Sequence, residues 1–67
     1  MENQLKFLRT TNGLQQKDVA KAIGVTTSYY GMIEVGTRKP SLFIALKLSK
    51  FFNIPIEEIF FTILNNS

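Results

Sequence analysis

Glycine and proline never let this chain run far. Asn12-Gly13, Gly24, Gly36 with Pro40, and Asn53 with Pro55 cut it into five pieces of roughly ten residues. Such spacing excludes long helices and leaves room only for short elements joined by tight turns.

Length sharpens the constraint. The chain has 67 residues, enough for one domain spanning 1–67. A domain of this size buries only about 60% of the surface that its unfolded chain exposes, so it needs a staple, a partner or very regular packing. The sequence has no Cys and no His. Disulfides and Cys/His metal or haem sites are therefore excluded, and no cofactor is expected. What remains is packing and self-association.

Four of the five pieces read as helices. Leu5 and Leu8 lie three apart in the first, which stops at Asn12-Gly13. In the second, Val19, Ala20 and Ile23 share one helical face before Gly24. The fourth opens at Ser41, a good N-cap, and places Leu42, Ala45, Leu48 and Phe52 in a stripe. The fifth, "IEEIFFTIL", has Glu57 and Glu58 in its first turn, where the helix dipole favours negative charge.

The third piece, "GVTTSYYGMIE", is made of residue types that favour strands. A lone strand has nothing to pair with, and no second alternating segment completes a hairpin. The piece is more economically a helix over 27–35, with Thr26 as its N-cap. At about 100° per residue, Tyr30 and Ile33 fall on one side and Thr27, Ser28, Gly31, Met32 and Val35 on the other. The second face carries no charge. A surface helix normally carries charge for solubility, so this one is expected to meet a partner. The fold class is thus all-α, five short helices.

Charge distribution suggests which partner. Eight Lys+Arg against five Asp+Glu give a net charge of +3. Arg38, Lys39, Lys47 and Lys50 occur between Val35 and Pro55 without an intervening acid. A basic zone beside an uncharged helix face suits a phosphate backbone, although for Lys47 and Lys50 plain solvation is the simpler reading.

The segment "QQKDVAKAIGVTTSYYGMIE" resembles the helix-turn-helix motif of the lambda-repressor/Cro-like family. The matching positions are Gln16, Val19, Ala20, Ile23, Gly24, Tyr30 and Ile33, over a motif of about 16–35. "GTRKPSL" and "NIPIEEIF" resemble the family's following loop and its last two helices, so nearly the whole chain is covered. The resemblance implies a lambda-repressor-like domain that binds double-stranded DNA, with the second motif helix in the major groove. Poor helix formers on its outer side then make sense, because those side chains serve contact rather than propensity.

By that resemblance, Thr27, Ser28 and Met32 occupy base-reading positions. Gln16, Thr26, Thr37, Arg38 and Lys39 match places that hold phosphate. The family's equivalent of Glu34 pairs with an arginine on the first helix, and Arg9 stands where that arginine belongs. The chain also departs from the pattern. Gln15 and Pro55 stand where Ser or Thr caps are usual. Gly31 either lets the backbone approach the duplex closely or simply loosens the helix.

The last two pieces hold more apolar residues than one small core needs, which suggests an interface. The resemblance implies a homodimer on a near-palindromic operator, and Phe61, Ile63 and Leu64 are the expected interface residues. The resulting expectation is a cytoplasmic transcriptional regulator, most simply a repressor. An antitoxin-like protein-interaction module on the same fold is the competing reading. Catalysis has no visible basis: Asp18, Glu34, Glu57 and Glu58 form no paired site. No membrane segment or small-molecule ligand is evident.

Overall fold

Each punctuation point becomes a helix end. The computed structural model describes residues 2–60, which form α1 (Leu5–Thr11), α2 (Gln16–Ile23), α3 (Thr27–Val35), α4 (Leu42–Phe52) and α5 (Ile56–Ile59). No strand occurs among the described residues.

Four helices stop by the same device. Gly13, Gly24, Gly36 and Asn53 all have positive φ, and the next residue's N–H turns back to a carbonyl five residues earlier. These bonds run from Leu14 to Arg9 (3.1 Å), Val25 to Ala20 (3.0 Å), Thr37 to Met32 (3.0 Å) and Ile54 to Ser49 (3.1 Å). This closure satisfies carbonyls that a helix end leaves bare, and it needs the left-handed region where a Cβ is unfavourable.

Starts are more varied. Thr26 Oγ1 accepts from the Tyr29 N–H at 3.1 Å, and Ser41 Oγ accepts from the Ile44 N–H at 3.2 Å. At α2 the poor cap Gln15 is compensated from the other direction: its N–H donates to Asp18 Oδ2 at 2.8 Å. Asn3 does two jobs for α1. Its Oδ1 accepts from the Leu5 N–H at 2.9 Å, while its Nδ2 donates to the Ile33 carbonyl of α3, also at 2.9 Å. The Gln4 N–H donates to the Ile59 carbonyl at 3.1 Å, tying the entry of α1 to α5.

The core consists of Leu5, Val19, Ala20, Ile23, Tyr30, Ile33, Ala45, Leu48, Ile59 and Phe60. Each large aliphatic or aromatic side chain buried there contributes about 1.5–3 kcal/mol. α2 packs against α3 and α4, and α4 against α5.

Two details differ from the sequence reading. Leu42, expected in the α4 stripe, is 67% exposed, and the half-buried Ile44 packs on the core instead. α4 is apolar nearly all round, so periodicity alone could not orient it. The fifth helix is a single turn that ends at Ile59, where the expected segment ran on to Leu64. Phe61, Ile63 and Leu64 lie outside the described residues.

Candidate nucleic-acid interface

α3 is held from beneath and bare above. Tyr30 and Ile33 are fully buried, whereas Thr27, Ser28, Met32 and Val35 are exposed and Gly31 is partly so. The base-reading candidates Thr27, Ser28 and Met32 therefore share one open, uncharged surface. Its hydroxyls and methyl groups can hydrogen-bond mixed acceptors and touch thymine methyls, but it has no arginine or lysine for a bidentate contact to guanine.

Beneath the far end of α3 lies a charge network. Arg9 Nε donates to Glu34 Oε2 and Nη2 to Glu34 Oε1, both at 2.8 Å, while Nη1 donates to the Leu14 carbonyl at 2.9 Å. The Glu34 side chain is only 2% exposed and that of Arg9 13%. Thus the one acid late in the motif is not offered to solvent. The forked pair bolts α1 to the end of α3.

Burial by itself would raise the Glu34 carboxyl, but the guanidinium of Arg9, the Tyr30 hydroxyl and the Gln16 amide together bring it below its ordinary value. The Tyr30 phenol is pushed upward, first by burial and then by the neighbouring Glu34 carboxylate. Its hydroxyl lies close to that carboxylate without a partner meeting hydrogen-bond geometry.

The phosphate candidates separate on inspection. Gln16 is the first residue of α2 and half-buried; its Nε2 donates to Glu34 Oε1 at 3.3 Å. Thr26 uses its hydroxyl oxygen as the α3 cap. Thr37 is exposed just past α3, where its hydroxyl donates to the Met32 carbonyl at 3.2 Å. Arg38 stands 5.4 Å from the centre of the Tyr29 ring, a stacking that keeps its guanidinium beside α3. Lys39 is exposed.

Tyr29 and Asn3 had no role in the sequence reading, because both act on residues distant in the chain. Lys47 also departs from simple solvation: its Nζ donates to the Ile23 carbonyl at 3.4 Å and lies 4.8 Å from the Phe43 ring centre. A cation at the C-terminal end of α2 complements the helix dipole there.

Among the described residues, no helix is long and apolar enough to cross a membrane. The same residues contain no group of acidic side chains of metal-binding form.

Comparison with known proteins agrees with this geometry. An uncharacterized HTH-type transcriptional regulator of Methanocaldococcus jannaschii is 45% identical over 60 residues, covering 90% of this chain and 91% of that protein. The uncharacterized HTH-type transcriptional regulator YgzD of Bacillus subtilis is 38% identical over the same shares of both chains. The cryptic phage CTXphi transcriptional repressor RstR of Vibrio cholerae is 39% identical over 57 residues, covering 85% of this chain and 51% of the repressor. Residues 5–59 match the helix-turn-helix family, and with α2, its glycine turn and α3 in this arrangement the chain belongs to that family, in its lambda-repressor/Cro-like form.

Proposed function

We infer that this protein is a sequence-specific regulator of transcription, most simply a repressor, that lays α3 in the major groove of double-stranded DNA. One observation carries the reading: the outer face of α3 is exposed, uncharged and free of acids, while Arg38 is stacked against the helix and Lys39 is exposed just beyond it. Thr27, Ser28 and Met32 read base edges; Gln16, Arg38 and Lys39 hold phosphate. Thr26 and Thr37, exposed at the two ends of α3 and shaping it through their hydroxyls, join them in holding phosphate.

The protein acts in the cytoplasm, as a homodimer on a near-palindromic site, and performs no catalysis. Support for self-association comes from α4, where Leu42, Phe43, Leu46 and Phe51 are 40–67% exposed. Water-facing aromatic and aliphatic side chains in that number favour an interface. Two α3 helices would then enter successive major grooves about 34 Å apart.

Selection of bound sequences from a random duplex pool tests the reading. A common motif should emerge and bind at least about 10³-fold more tightly than scrambled duplex at physiological salt. Equal affinity for both, or no binding at low salt, refutes it.

A further inference from the structure

Gly31 sits in the middle of α3, where glycine weakens a helix. A Cβ built there would lie 3.2 Å from Gln16 Oε1, 3.7 Å from Gln16 Cδ and 3.8 Å from Gln16 Nε2. The side-chain amide of Gln16 therefore lies close against the α3 backbone, where any other residue's β-carbon would press on its oxygen and push it away by a few tenths of an ångström. Gln16 is held there from the other side as well, through its 3.3 Å bond to Glu34. A carboxylate only accepts hydrogen bonds, so it fixes which end of the amide turns toward it. Glu34 is itself fixed by the fork from Arg9.

We propose that Gly31 is a positioning residue for Gln16. Its missing side chain forms a seat that, together with Glu34, aims the second N–H of the Gln16 amide at a DNA phosphate. This deepens the proposed DNA-binding function and rests on it. A clash of a few tenths of an ångström would tilt the amide, loosen its bond to Glu34 and spoil the aim, while leaving the helix itself intact.

The test is a cycle of Gly31→Ala, Gln16→Ala and the double variant, measured on a selected duplex and a scrambled one across a salt series. Gln16→Ala should weaken binding about tenfold on both duplexes, the scale of one hydrogen bond to a charged group. Gly31→Ala should lose about threefold to tenfold, again equally on both, with thermal stability unchanged or raised. Since glutamine is neutral, neither should alter the slope of log affinity against log salt, which follows the number of cation–phosphate contacts. In the Gln16→Ala background, Gly31→Ala should have no further effect.

An equal loss with and without Gln16 would overturn the seat, because Gly31 would then act by letting the backbone itself approach DNA. Unchanged binding by Gly31→Ala would overturn it too. The free protein supplies an independent readout. The Gln16 side-chain NH₂ resonances should shift in Gly31→Ala and in Glu34→Gln without DNA. If they do not move, the seat fails even where the protein binds its duplex; if they move but no duplex is bound, it is the DNA-binding reading that fails.

Discussion

Removing the Glu34 carboxylate should unfold a large part of the population at modest temperature. In Glu34→Ala the Arg9 guanidinium loses two bonds of 2.8 Å and keeps only the Leu14 carbonyl at 2.9 Å. Breaking a buried pair by deleting one partner costs about 3–5 kcal/mol. Arg9 is still 13% exposed and can recover some hydration, so the expected loss is at the lower end, about 3 kcal/mol. A chain of this length has roughly 3–10 kcal/mol in total. Thermal melts followed by circular dichroism should show Tm falling by roughly 12–24 °C. Arg9→Met/Glu34→Met, which removes both charges, should recover to within about 1 kcal/mol of the parent. A loss below about 1 kcal/mol in Glu34→Ala, the scale of an exposed pair, would refute the reasoning. The same carboxylate sets a pH response. It titrates lower in the folded chain than in the unfolded one, where the ordinary value is 4.5. Its contribution is therefore complete above that value and is lost as acid takes the pH down through the folded value. Urea midpoints should fall accordingly between pH 6 and pH 3, less steeply in Glu34→Gln.

Thr27→Ala and Ser28→Ala should each weaken binding to the selected duplex by roughly 1–3 kcal/mol and leave scrambled DNA nearly unaffected; equal loss on both would show that these side chains do not read bases. Arg38→Ala and Lys39→Ala should instead lower affinity for every sequence and reduce the magnitude of the log–log salt slope by about 1.8 each, since the homodimer loses two contacts per substitution, and an unchanged slope would remove them from the phosphate contacts. Thr26→Ala deletes the α3 cap, and should cost about 1 kcal/mol, read as a Tm lower by roughly 4–8 °C. Sedimentation equilibrium at tens of micromolar should give twice the 7.6 kDa chain mass; a monomer both with and without operator DNA would rule out the homodimer.

The residues that turned out easiest to read were those whose neighbours in space are neighbours in sequence. Gly24 and Gly36 announce helix ends because positive φ is a local demand, and Val19, Ala20 and Ile23 share a face within one helix. Asp18 could have been read the same way: an acid three residues after a weak N-cap can repair it through the backbone. Other features needed the fold. Nothing near Gly31 in the chain names Gln16 as the reason for the missing side chain, since the two meet only once α2 lies on α3. Asn3 and Lys47 likewise bond carbonyls of helices remote from them in the chain. α4 misled because apolar residues surround it, so that Leu42 and Ile44 could exchange places without breaking any pattern. Pairing of Arg9 with Glu34 came from family resemblance, and no spacing rule would have suggested it.

The bond from Gln4 to Ile59 makes α5 more than a tail. A single helical turn cannot persist alone in water, yet here it grips the root of the element that carries Arg9. Trimming the chain at Pro55 would thus slacken its opposite extremity, and the disturbance would surface at the far tip of the recognition rod rather than at the cut.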